Sequence, residues 1–228
     1  MKPLEFIFML TRHDRTVEDA ALHVEAARRA GLRHVGFKDV GLSVPALKAL
    51  RESIRAAGAR SYLEVVSLDR DSEIASVRAA IEMGVDCLLG GVHADDVAPM
   101  LAGTGISYYP FPGRVSGHPS ILEGEEAEIV ASARALAARP GVSGLDLLAY
   151  RSRIDAGALI RAVCAAVDKP VIVAGSIEAP EQIDVVRTGA AAGFTIGTAA
   201  LDGRFPASGR DLPSQLAAIS AACSRALH

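Results

Sequence analysis

The 228-residue chain has no tryptophan, only 4% aromatic residues and three cysteines. With so few large rings, a core has to be assembled from Ala, Val, Leu and Ile, which suits helices packed closely on a sheet. Cys87, Cys164 and Cys223 are odd in number and show no CxxC spacing. That argues against a disulfide framework or a zinc site and reads as reduced thiols in a cytoplasmic protein. Asp39, Glu64, His93 and Asp146 are acidic or imidazole residues that a metal would need, but neither HxH nor HExxH spacing occurs. No metal and no cofactor are expected. Basic runs are missing as well: 24 Lys and Arg stand against 27 Asp and Glu, for a net charge of −3, which excludes a phosphate-backbone track and hence a nucleic-acid partner. No window approaches the roughly 18 to 20 apolar residues that span a bilayer. The opening "MKPLEFIFMLTRHD" has its apolar run broken by Glu5 and no small-residue cleavage site after it, so it reads as a first strand, with neither export nor membrane insertion expected.

What the chain does have is alternation. Short β-rich runs, "LEFIFMLT", "RHVGFKDV", "RSYLEVVS", "VDCLLGGVH", "GISYYPF", "SGLDLLAY", "PVIVAGSI" and "AGFTIGTA", are each followed by an amphipathic stretch, the signature of eight β/α units. Helix starts are marked at Thr16, at Ser43 before Pro45, at Asp155 and at Pro180 with Glu181, by capping residues or by a proline in the first turn. Gly31, Gly58, Gly84, Gly141 and Gly189 follow the helical stretches, where a left-handed residue closes a helix at little cost. These units predict an α/β fold, a single (β/α)8 TIM barrel over residues 1–228, with a doubly wound open sheet as the alternative. Against that alternative, no GxGxxG follows the first strand. One connection, "PFPGRVSGHPSILEGEE" over residues 110–126, is far longer than usual and reads as a cover for a ligand site.

In such a barrel the ends of the strands line the active site, and alternate residues face lumen and helices. Val35 and Phe37 then face the helices and Gly36 and Lys38 the lumen; Leu63 and Val65 face out and Glu64 in; Leu145 and Leu147 face out, Asp146 and Leu148 in. Lys38 and Glu64 fall side by side on adjacent strands. They are read either as a structural ion pair or as an acid and base tuned by proximity, with Asp146 as a third candidate and Lys38 alternatively an amine nucleophile. His93, Tyr150 and Arg151 end strands at the mouth, and Arg114, Ser116 and His118 lie in the long connection. His93, Arg114, His118, Tyr150 and Arg151 are candidate substrate contacts, Arg151 as a clamp for carboxylate or phosphate. His13, His23, His34 and His228 have no partner spacing and are read as ordinary.

The last two strands end in Gly175-Ser176 and Gly197-Thr198. Glycines at such turns let backbone N–H groups approach an anion, so the four residues are expected to bind phosphate. "PVIVAGSI", a helix, "GA" and a strand ending in "IGTAAL" resemble the pattern of the ribulose-phosphate-binding barrel superfamily, which includes phosphoribosyl isomerases, thiamine phosphate synthase and N-acetylmannosamine-6-phosphate 2-epimerase. The chain departs from it in having Gly175-Ser176 where two glycines are common, and in having no aspartate in "FIFMLT", the strand where the histidine-pathway isomerases carry one. The resemblance implies an enzyme acting on a small phosphorylated sugar or related phosphorylated carbonyl compound, by isomerisation or epimerisation through proton transfer. A Schiff-base aldolase (lyase) using Lys38 is the alternative, and a non-catalytic phosphometabolite sensor a third. The expected partner is a small phosphorylated metabolite; a homodimer is compatible with such a barrel, although no surface marks its interface.

Overall fold

Each of the eight predicted runs forms a parallel strand in the computed structural model, which describes residues 4–225. His228 therefore lies outside the described residues. The barrel strands are β1 (Glu5–Met9), β2 (His34–Lys38), β3 (Arg60–Val65), β4 (Cys87–Gly90), β5 (Ser107–Tyr109), β6 (Leu145–Leu147), β7 (Val171–Val173) and β8 (Gly193–Ile196). They are joined by α1 (Ala20–Arg29), α2 (Val44–Ala56), α3 (Arg70–Met83), α4 (Ala94–Leu101), α5 (Glu126–Ala137), α6 (Ala156–Ala166) and α7 (Pro180–Thr188). A short α8 (Thr198–Leu201) and α9 (Leu212–Cys223) follow β8. None of these helices is long and apolar enough to cross a membrane.

The sheet runs β6-β7-β8-β1-β2-β3-β4-β5. Its two ends meet: Tyr108 O accepts from Ser143 N at 2.7 Å, and Pro110 O from Asp146 N at 3.1 Å. The result is a (β/α)8 barrel, closed by hydrogen bonds at every neighbouring pair of strands so that no edge is left to aggregate.

Alternation along the strands sorts two apolar layers. Val35, Phe37, Leu63, Val65, Leu145 and Leu147 pack outward with the helices, whereas Ile7, Met9, Tyr62, Cys87, Leu89 and Ile172 fill the lumen. Gly36 completes the lumen packing, since a Cβ there would lie 2.3 Å from the Met9 sulfur. Leu148, expected in the lumen, packs with the outer core and also borders the cavity at the barrel mouth.

Three local expectations change. Thr16 does not open a helix: α1 begins at Ala20 after Asp19, and Thr16 sits in a two-stranded hairpin, Thr11–Arg12 with Arg15–Thr16. Its hydroxyl is taken by the β2 backbone, accepting from Lys38 N and donating to Lys38 O, both at 2.8 Å. Gly189 is not left-handed (φ −76°); Ala190 is (φ 62°). Glycine is required at 189 for space, because a Cβ would fall 2.4 Å from Ile160 Cγ2. The long connection, finally, is ordered as a second hairpin, Arg114–Ser116 with Ile121–Glu123, pinned by Leu122, which is 2% exposed.

Candidate functional site

The site begins with a turn. His13 and Asp14 link the strands of the first hairpin with φ of 50° and 60°, the two-residue left-handed turn that matches hairpin twist and that Asp and His tolerate better than most residues. The turn delivers the Asp14 carboxylate to the barrel mouth. Lys38 and Glu64 are register partners at the ends of β2 and β3, so their side chains rise together into the same space. Lys38 Nζ donates to Asp14 Oδ1 at 2.8 Å and to Glu64 Oε1 at 2.9 Å. Arg151, on the 3-10 turn after β6, forks onto Asp14 with Nη1 to Oδ2 at 2.5 Å and Nη2 to Oδ1 at 2.8 Å. Asp14, Lys38 and Glu64 are each 5% exposed or less.

Burial and pairing set the protonation. For Asp14, burial favours the neutral acid, but the Arg151 hydrogen bonds and the Lys38 charge outweigh it and hold the carboxyl well below its usual range. For Lys38, burial favours the neutral amine, but Glu64 and Asp14 together hold the ammonium above its ordinary pKa. Asp146 behaves in the opposite way. It is fully buried, neither carboxyl oxygen has a hydrogen-bond partner among the described residues, and burial, aided by the charge of Glu64, drives it well above the carboxylate range.

Above this cluster lies a cavity of about 270 Å³. Lys38, Glu64, Asp14 and Arg151 line it together with Gly175, Ser176, Gly197 and Thr198. Of the four non-glycine residues with positive φ among the described residues, three (His13, Asp14 and Ser176) border this cavity, and such backbone strain concentrates where function requires it. The glycines also have internal reasons. A Cβ on Gly175 (φ 80°) would lie 2.5 Å from Arg151 Nε, and one on Gly197 2.8 Å from Thr11 O. Gly175 therefore seats the arginine, and Gly197 lets β8 pass close to the strand beside it.

The remaining candidates are dispersed. His93 caps α4 with its ring Nδ1 2.7 Å from the buried Glu73. Asp39 accepts from Val66 N at 3.2 Å and Ser76 Oγ at 2.6 Å. Neither borders the cavity, and the described residues contain no group of three or more His, Cys, Asp or Glu suited to a metal. Arg114 pairs with Glu123 at 3.2 Å on the exposed face of the long hairpin, where Ser116 also bonds Glu123. His118 is exposed too, while its neighbour Pro119 borders the cavity. Tyr150 donates to Gln182 O at 3.1 Å. Asp14 and Arg204, which also lines the cavity, had not been singled out. The signal for Asp14 was the symmetric "TRHDRT", two residues tolerant of positive φ between matched flanks.

No protein-family model and no curated protein matches the chain. Among solved structures it is similar to N-acetylmannosamine-6-phosphate 2-epimerase from Clostridium perfringens, at 14% identity over 86% of each chain with a TM-score of 0.63. It is also similar to tryptophan synthase from M. tuberculosis in its ligand-free form, at 16% identity over 97% of this chain and 92% of that one, TM-score 0.65. A citrate synthase variant matches at 13% identity over 86% of each chain, TM-score 0.58. At these identities the likeness is one of fold, and the fold hosts several chemistries.

Proposed function

We propose that the protein is an enzyme of small phosphorylated sugars or related phosphorylated carbonyl compounds, moving a proton beside the carbonyl in an isomerisation or epimerisation. The observation that carries this reading is one cavity lined by both the buried Lys38–Glu64–Asp14 cluster and the Gly175-Ser176 and Gly197-Thr198 turns. The turns anchor the phosphate, whose binding energy positions the reacting end. Lys38, with two of its three N–H groups engaged by carboxylates, offers the third to a carbonyl oxygen and stabilises negative charge as it develops. Glu64 is the base that removes the proton, and Asp146, whose burial favours the neutral acid, supports the resulting charge arrangement. The fold likeness to an N-acetylmannosamine-6-phosphate 2-epimerase is consistent with this choice as one of the chemistries the fold hosts.

Lys38 as Schiff-base nucleophile fits less well, because a lysine held cationic by two carboxylates is a poor amine. Incubating the protein with phosphorylated sugars in deuterium oxide, and following carbon-bound deuterium by NMR, tests the proposal. Exchange at the carbon beside the carbonyl supports it; a borohydride-trapped adduct on Lys38 replaces it with the lyase, and binding without exchange replaces it with a sensor.

A further inference from the structure

The charges around the cavity are unevenly committed. On the cluster side, the Lys38 ammonium is matched by Asp14 and Glu64 at 2.8 and 2.9 Å. The Arg151 fork is spent on Asp14 at 2.5 and 2.8 Å, and its remaining contacts are with protein, Ser176 Oγ at 3.4 Å and Ser120 O at 3.5 Å. Two cations thus face two carboxylates, and Asp146 adds no positive charge in either protonation state. Arg151, read from the sequence as an anion clamp, has its Nη1–Nη2 end taken by Asp14, and its Nε edge, 3.4 Å from Ser176 Oγ, is turned towards the Gly175-Ser176 turn instead of towards Glu64. A full carboxylate entering there would meet Asp14 and Glu64, whose charges already match those of Lys38 and Arg151, so it would add a third negative charge to two cations.

At the Ser176 and Thr198 turns the pairing is looser. Arg204 lines the cavity with Ser176, Thr198 and Glu178 and is half exposed. Its ion-pair partners are remote, Glu178 at 4.0 Å and Asp202 at 3.6 Å. Asp202 is committed elsewhere, since Arg12 Nε holds its Oδ1 at 2.6 Å. Among the described residues, Arg204 is the cavity arginine or lysine with no side-chain contact of hydrogen-bonding length. Swinging it from Glu178 onto a ligand anion exchanges a loose, solvated pair for a charge-assisted one.

We infer that the site selects a ligand anionic at one end only: a monophosphorylated hydroxy-carbonyl compound whose reacting end is uncharged, with Arg204 as the charge partner of the phosphate, and that it rejects phosphorylated sugar acids. The inference rests on the phosphate reading above and narrows it, since that reading alone admits ligands carrying a carboxylate.

Two small probes separate the ideas: glycerol 3-phosphate, with a neutral diol end, and 3-phosphoglycerate, with a carboxylate end. Titration calorimetry at low salt is expected to give at least about tenfold tighter binding of glycerol 3-phosphate, and Arg204→Gln to weaken it by about tenfold or more, the size of a lost charge-assisted contact. Arg134→Gln, a substitution on the outer helix α5, should leave the affinity unchanged. Equal or tighter binding of 3-phosphoglycerate overturns the neutral-end selection. Unaltered binding in Arg204→Gln overturns the role of that arginine while leaving the phosphate reading in place. Binding of neither probe, with free glycerol or inorganic phosphate no better, removes the phosphate reading and this inference with it.

Discussion

Lys38 is the residue on which the mouth of the barrel depends. It holds two carboxylates that are themselves almost fully buried, so Lys38→Met leaves Asp14 to Arg151 and Glu64 buried without a cation. Breaking a buried pair in this way costs about 3–5 kcal/mol, and urea denaturation of the variant should show a loss of that order together with abolished deuterium exchange. Asp146 makes the opposite prediction. Its folded pKa is raised, so its contribution is most favourable below its unfolded pKa, about 4, and is lost as pH rises above that value, because the unfolded chain ionises first. The stability of Asp146→Asn relative to wild type should therefore increase between pH 4 and pH 8, whatever the offset from burying an amide. A difference that stays flat across that range would mean the carboxyl is ionised in the fold. Asp14, with a depressed pKa, has the usual carboxylate sign: its stabilisation is present above about pH 4 and fades as pH falls.

At the scale of elements, the strands and the contact between Lys38 and Glu64 were legible because period-two alternation and the succession of parallel strands leave little freedom: two residues at equivalent ends of β2 and β3 must be neighbours. The turn that brings Asp14 was not, because "HD" lacks the Asn-Gly or Asp-Gly composition that marks such hairpins. The first strand carries no aspartate, yet one arrives from the turn beyond it. Gly175 and Gly197 were conspicuous as glycines, but their neighbours, Arg151 and Thr11, come from distant segments that no local pattern reveals. The long connection has a similar history. Its length indicated a cover, while its anchorage depends on Leu122 meeting the outer core, a long-range packing event. Leu122→Ala should cost about 2–4 kcal/mol and raise amide hydrogen exchange selectively at 114–123, with the barrel strands unchanged. Uniform loss of protection would mean that the hairpin and barrel unfold as one unit.

The whole molecule places the cavity where segments far apart in sequence converge: the turn after β1, the ends of β2 and β3, the 3-10 turn after β6 and the turns after β7 and β8. Barrel closure makes those segments neighbours, with the β5–β6 seam completing the ring through the carbonyls of Tyr108 and Pro110. A ligand contacting both the charged cluster and the two turns binds only when the ring is intact, so its affinity adds to the stability of the entire barrel. At a free concentration one hundred times Kd the gain is about 2.7 kcal/mol, and for a chain of 228 residues that corresponds to a rise in Tm of about 5–10 °C. Calorimetric scans with increasing glycerol 3-phosphate should show one transition moving upward by that amount, and Arg204→Gln should need about tenfold more ligand for the same shift. If calorimetric binding is present and Tm does not move, the probe binds the unfolded chain as well as the folded one, and the assembled mouth of the barrel is not its receptor.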